Sequence, residues 1–325
     1  MKNFNYQKIY SDLLFDLTER QKEIIFRRFG LKGGQGETLE SIGKDFGICR
    51  ERVRQIQEAS FKKIRPKAKK YKGTFQSFLK YFKKFGDLRK EDVLLADLGE
   101  EKWRNEIYFL LTLKESFQRF NENNDFYSLW TINQNSFQKA KKVIASLYQK
   151  LKAIGKPLAL KELSPFVSLE NPVLTSYLEI SKKIPQNEEG LYGLKDWPEI
   201  NPRGIRDKAY LVFKKVSKPL HFAKVADLIE GSHLQTVHNE LIKDSRFILV
   251  GRGIYALAEW GYYPGYVKDV IFRILGEAKK PLTKEEILKR VLEQRLVKEN
   301  TVFLNLSNKK YFLRDSEGKY RIKEA

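Results

Sequence analysis

Short runs of the same residues return down most of this chain at a nearly constant interval, and that interval limits the fold more than any other feature. Lys156-Pro-Leu158 recurs as Lys218-Pro-Leu220 and as Lys280-Pro-Leu282, and Leu194-Lys-Asp-Trp197 recurs as Leu257-Ala-Glu-Trp260. Aromatic strand signals end on Tyr127, Tyr192, Tyr255 and Tyr320, in steps of 65, 63 and 65 residues. A fixed period means one supersecondary unit repeated, with neighbours stacked to bury faces that a single unit cannot.

One unit shows the plan. Helical spacing covers 206–216, a Lys-Pro-Leu strand or turn follows, and helical spacing returns over 222–229 and 236–244. Apolar runs at 247–250 and 254–257 flank Gly251-Arg252-Gly253, a hairpin signal with a basic tip. Three helices and a two-stranded wing make a winged helix. The expected fold class is mainly α with small β wings: a helix-turn-helix at 9–70, then winged-helix repeats at 71–133, 134–198, 199–262 and 263–325. The first repeat is the most diverged. The recurring Tyr, Trp and Phe are expected in cores, Pro157, Pro219 and Pro281 as turn fixtures, and His221 and His238 as structural or surface residues. Arg252 and Lys309-Lys310 stand where wings would meet phosphate.

The segment before the repeats has its own pattern. Ile24, Ile25 and Phe29 give helical spacing closed by Gly30, and a glycine-rich loop leads to Thr38. From Thr38 to Ile56 the chain reads as helix, tight turn, helix. Thr38 can cap the first helix, Gly43 allows close approach, and Gly47 can take positive φ. Ile42, Phe46, Ile48, Val53 and Ile56 would fix the crossing. That leaves Arg50, Glu51, Arg52, Arg54 and Gln55 facing outward. Arg pairs bidentately with guanine, Glu accepts from cytosine N4, and Gln reads adenine or supports a phosphate contact. A carboxylate between two Arg is repelled by phosphate and makes sense for reading a base.

This segment resembles the fourth conserved region of primary bacterial sigma factors, with Arg50-Glu-Arg-Val-Arg-Gln-Ile56 as the specific run. The resemblance implies that Arg50, Glu51 and Gln55 read the upstream promoter hexamer, the −35 element, and that Arg52 and Arg54 hold the DNA. It also implies that the helix at 17–29 docks on the β flap of RNA polymerase. Cys49 stands where that family has Thr or Ser, a poorer helix cap. The match spans about a sixth of the chain, at its N-terminal end, whereas this module comes last in a sigma factor. A complete sigma factor is therefore not expected. The unit at 203–260 resembles a second family, the HARE-HTH winged domain of the RNA polymerase δ subunit, through Pro219-Leu-His-Phe222, Thr236-Val-His-Asn-Glu-Leu241 and the run Arg246 to Leu257. That resemblance implies a transcription or DNA context.

Composition agrees with a polyanionic partner. The net charge is +21, and between Arg50 and Lys90 stand 15 Lys or Arg against 3 Asp or Glu, so Lys62, Lys63 and Arg65 join the candidate DNA contacts. One cysteine excludes an intramolecular disulfide framework, and three histidines give no zinc spacing. No apolar run is long enough to span a bilayer and no signal core opens the chain, so a soluble protein of the bacterial cytoplasm or nucleoid is expected. No phosphate loop or Ser/His/Asp set stands out. Asp92 or Asp97 with Glu100-Glu101-Lys102 fits the nuclease pattern Asp…Glu-x-Lys only superficially. The expectation is a non-enzymatic, sequence-specific transcription regulator without metal or cofactor, with double-stranded DNA and RNA polymerase as partners. The alternative is a polymerase-associated scaffold whose winged units contact proteins and whose DNA binding is nonspecific.

Overall fold

Apolar residues three and four apart begin the chain and bury Ile9, Leu13 and Leu14 on one side of α1 (Tyr6–Leu14). This computed structural model describes residues 4–100 and 102–323. Thr18 opens α2 (Glu19–Phe29) through a capping box: Gln21 N donates to Thr18 Oγ1 at 3.3 Å, and Thr18 N donates to Gln21 Oε1 at 3.2 Å. Gly30, at φ 65°, ends it. Thr38 caps α3 (Leu39–Asp45), and α4 (Arg50–Ala68) follows the turn. Ile24 packs with Ile42 and Val53, while Ile25 and Phe29 face a second, larger core. Both isoleucines are fully buried, so neither is free to dock a partner.

A single 3-10 turn leads from α4 into the first repeat: α5 (Lys72–Lys84), β1 (Leu88–Lys90), α6 (Glu91–Gly99), α7 (Arg104–Leu113), β2 (Gln118–Phe120) and β3 (Leu129–Thr131), in antiparallel order β1-β3-β2. The second has α8 (Gln134–Ile154), β4 (Leu158–Ala159), α9 (Leu160–Leu163), α10 (Asn171–Glu179) and β5 (Leu191–Tyr192), with Gln186 bridging Tyr192 as a third strand position. A second compact unit begins at Asp196. It holds α11 (Gly204–Val216), β6 (Leu220–His221), α12 (Phe222–Asp227), α13 (Leu234–Lys243), β7 (Phe247–Gly251) and β8 (Ile254–Leu257), in order β6-β8-β7. Then come α14 (Val267–Ala278), α15 (Lys284–Gln294), α16 (Glu299–Leu306), β9 (Phe312–Arg314) and β10 (Tyr320–Ile322), with Leu282 bridging Tyr320. The fold is mainly helical with small antiparallel wings.

Strand register corrects one repeat position. Leu158, Leu220 and Leu282 face Tyr192, Tyr255 and Tyr320. Their counterpart Leu88 faces Thr131, not Tyr127. The first wing has a longer connection, residues 121–128, and this placed an aromatic pair on the period by coincidence. Tyr127 N instead donates to Ile180 O of the second repeat at 2.9 Å. The fourth wing is also corrected. Lys309-Lys310 precede β9, and the turn between β9 and β10 is Asp315-Ser-Glu-Gly318, which carries acid.

Packing decides which helices remain open. The helix-turn-helix and the first repeat share one core, in which the Phe29 ring lies 5.3 Å from Phe109 and the Phe61 ring 6.4 Å from it. Asn105 Nδ2 donates to Gly30 O and Gly34 O, both at 2.9 Å, and Tyr6 OH donates to Leu98 O at 3.1 Å. None of the residues of α7 is exposed. On α10 only Asn171 is exposed, because Ser176 Oγ donates to Leu88 O at 2.6 Å and Glu179 receives the buried Arg89 guanidinium at 2.6 Å. The third helices of the second unit are open: Leu234, Gln235, Thr236, Asn239 and Ile242 on α13 and Leu304 on α16 are exposed. Within that unit, Leu296 N donates to Val250 O at 2.6 Å and fastens one wing to the next repeat.

Candidate nucleic-acid interface

The turn between α3 and α4 depends on two glycines. Gly47 takes φ 65°, a conformation unfavourable to residues with a Cβ. A Cβ on Gly43 would lie 2.6 Å from Ile48 O. With both in place, Ile42 and Val53 close a small core and α4 leaves the turn with its first two turns projecting. Cys49 occupies the N-cap without a side-chain hydrogen bond and is exposed. Glu51, in the first turn, supplies a negative charge toward the positive end of the helix instead.

Arg50, Glu51, Arg52, Arg54 and Gln55 are all exposed. They are not independent. Arg54 grips Glu51 in bidentate fashion, Nε at 3.0 Å from Oε2 and Nη2 at 2.7 Å from Oε1. That grip, chiefly its hydrogen bond, holds the Glu51 carboxyl below the usual carboxylate range. Arg52 Nη1 donates to Gln55 Oε1 at 3.1 Å. Among the described residues Arg50 has no such partner. Further along α4, Lys62 and Lys63 are exposed, Lys63 donating to Gln21 Oε1 at 3.3 Å, and Arg65 lies half-buried over Phe61. At 1.5 Å per residue, Lys62 stands roughly 10 Å beyond Gln55, a distance suited to a groove edge rather than its floor. Eight of the nine candidates therefore share one helix. Arg252 is exposed at a hairpin turn of the second unit.

Sequence reasoning missed the clamp that seats α3. Arg27 donates to Glu37 through Nε at 2.7 Å and Nη2 at 2.6 Å, and also pairs with Asp45. Arg28 Nη1 donates to Glu37 O at 2.6 Å, and Ser41 Oγ to Glu37 Oε2 at 3.1 Å. The Arg27 guanidinium holds Glu37 below the usual carboxylate range. The partners lie 10 and 18 residues away from Arg27, beyond the range of helical periodicity.

The nuclease-like residues do not converge on an empty centre. Asp97 receives Tyr81 OH and Arg89, and Asp92 pairs with Lys90 and Arg104. Glu101 lies outside the described residues. Among those described, no cluster of three or more His, Cys, Asp or Glu is placed to hold a metal, and no helix is long and apolar enough to cross a membrane.

A short helix and a longer one crossing at a glycine turn, the second projecting Arg, Glu and Gln, define a helix-turn-helix of the DNA-binding class. Residues 13–66 match the family described as Sigma-70, region 4. The RNA polymerase sigma factor SigA of a Bacillus species is 48% identical over 54 residues, which cover 17% of this chain and 14% of that protein. The chain thus carries a DNA-binding module of the kind found in transcription initiation factors, and it spans a small fraction of that relative's length.

Proposed function

We propose that this protein is a non-enzymatic transcription regulator that reads a promoter hexamer of the −35 type through α4 and contacts RNA polymerase. Glu51 carries the reading. A surface that only held phosphate would exclude a carboxylate at its most projecting turn. Held by Arg54, Glu51 is oriented before DNA arrives, so less side-chain freedom is lost on accepting from a cytosine amino group. Arg50 pairs with a neighbouring guanine, and Gln55 completes the reading. Arg52, Arg54, Lys62, Lys63 and Arg65 hold the backbone, with Lys63 and Arg65 first leaving their present partners.

The test is selection from random duplexes at fixed salt. Recovery of a hexamer that Arg50→Ala degrades supports base reading. Recovery of no motif removes it. Contact with the β flap falls to the outer residues of α2, since Ile24 and Ile25 are internal. Retention of the isolated flap by the protein, lost in Arg20→Glu, is the expected result.

A second reading, the polymerase-associated scaffold, is favoured by one observation. Leu234 and Ile242 on α13 and Leu304 on α16 are exposed apolar side chains suited to protein contact, on helices that carry no Arg to pair with a guanine. The HARE-HTH resemblance of 203–260 implies a transcription or DNA context and is compatible with either reading.

A further inference from the structure

We infer that the outer face of α8 is a second contact for duplex DNA, one that grips phosphate without reading sequence. The inference rests on the DNA-binding reading above but not on recognition of any base.

Residues 126–161 contain seven Lys and no Asp or Glu, in a chain that has 41 acidic residues among 325. α8 occupies most of that stretch. Its inner face, Phe137, Ala140, Ile144, Leu147 and Leu151, is buried and fixes its rotation. Its exposed face presents the hydrogen-bond donors Gln138, Lys139, Lys142, Ser146, Gln149 and Lys152, with Ala145, Ala153 and Ile154 also exposed. Lys139 and Lys152 are roughly 20 Å apart along the axis, more than half a turn of duplex.

Elsewhere, some first-helix cations are held by carboxylates. On the first helices of the two repeats in the second unit, Lys214 pairs with Glu259 and Arg273 with Glu277, both at 2.9 Å. Among the described residues Lys139, Lys142 and Lys152 have no carboxylate partner. The third helices α7 and α10, the usual groove-entering elements of winged helices, are packed inside this unit, so a DNA contact by its repeats falls on another face. The chemistry selects the occupant. The face has no exposed aromatic on which a single-stranded base would stack. Its apolar stripe is buried and Ile154, at its last position, is the one large apolar side chain left exposed, too little to insert into a lipid surface. A regular polyanion remains, and the same compact unit holds α4.

The test is titration of a motif-free duplex of about 60 base pairs with the full chain and with Lys139→Gln/Lys142→Gln/Lys152→Gln. Each phosphate contact contributes roughly 0.9 to the slope of log affinity against log salt, so the triple variant should lose about 2.7 and bind roughly 100-fold more weakly at 0.15 M salt. The corresponding triple Arg variant should bind as wild type, and unchanged melting of both variants shows that the fold is intact. An unchanged salt slope in the Gln variant overturns the proposal. So does loss of binding to single-stranded RNA or anionic vesicles with the duplex slope unchanged. The two readings fail separately: loss of a motif in Arg50→Ala concerns α4 alone, and the salt slope on motif-free DNA concerns α8.

Discussion

Replacing Glu51 by Ala separates base reading from charge attraction, because the two predict changes of opposite sign. Removing one negative charge roughly 8 Å from a phosphate in a water-like dielectric strengthens binding by about twofold, whatever the sequence. If Glu51 accepts from a cytosine, its loss weakens binding to the motif by roughly 5- to 150-fold at that base pair. The intrahelical pair does not blur the comparison. Glu51 and Arg54 are both more than half exposed, and such a pair contributes little to stability. The first turn is the more serious concern, since Cys49 gives no side-chain cap and Glu51 faces the helix dipole. Melting curves of Glu51→Ala and Glu51→Gln control for it. The assay is competitive titration of motif and single-base variants at fixed salt. The variant should bind motif-free DNA about twofold tighter and show no preference at one position. Uniform tightening on motif and motif-free DNA alike would refute the reasoning. Because Arg54 holds the carboxyl below its usual range, the preference at that base pair should persist in wild type from pH 8 to pH 5.

Other positions give independent checks. Gly43→Ala drives a Cβ against Ile48 O and should cost roughly 1–3 kcal/mol in thermal unfolding while abolishing selection of the hexamer. Burial pushes the Tyr6 phenol up to about 12, so its stabilisation is complete below pH 10 and is lost as pH rises through 12; stability should fall over that window by roughly 2–3 kcal/mol more in wild type than in Tyr6→Phe. Arg295 is buried and donates to Tyr263 O at 2.6 Å, Gly265 O at 2.8 Å and Gln294 O at 2.7 Å, so Arg295→Met should destabilise the second unit by roughly 3 kcal/mol in urea titration.

Local signals made much of this fold legible. Gly47, Thr38 and the Arg50-to-Ile56 run act within a few residues, so their roles follow from spacing. The Gly251-Arg-Gly253 hairpin and the Lys-Pro-Leu strands are local in the same way. Contacts made across long separations were not legible. Arg27 finds Glu37 and Asp45 across a loop, and Arg89 finds Glu179 across 90 residues. The period misassigned Tyr127 because an insertion within a wing shifts register without erasing an aromatic pair. Lys63 shows the same limit at the surface: charge counting makes it a phosphate contact, yet it donates to Gln21 Oε1, 42 residues away.

The seat of the helix-turn-helix on α7 leads to a last prediction. Sequence marks 9–70 as a module, which invites its isolation. In the folded chain Phe29 and Phe61 pack on Phe109, and Tyr6 packs on Trp103 and donates to Leu98 O. An aromatic side chain buries roughly 150–250 Å², so exposing about half of each of Phe29, Phe61 and Tyr6 forfeits roughly 6–9 kcal/mol at about 25 cal/mol per Å². Whole domains are stable by about 5–15 kcal/mol, and a fragment this small lies near the bottom of that range. Residues 1–70 alone should therefore show no cooperative melt, or should associate through the uncovered aromatics. Residues 1–195, which retain α7 and the α10 cover over β1, should melt cooperatively and select the same hexamer as the full chain. The same energetics explain the composition of α7, Arg-Asn-Glu-Ile-Tyr-Phe-Leu-Leu-Thr-Leu: it covers a core on one side and a partner module on the other, and so has no polar stripe left for a groove. A monomeric 1–70 fragment with a cooperative transition and full motif affinity would show that α7 is only a neighbour, and that the reading helix needs no such seat.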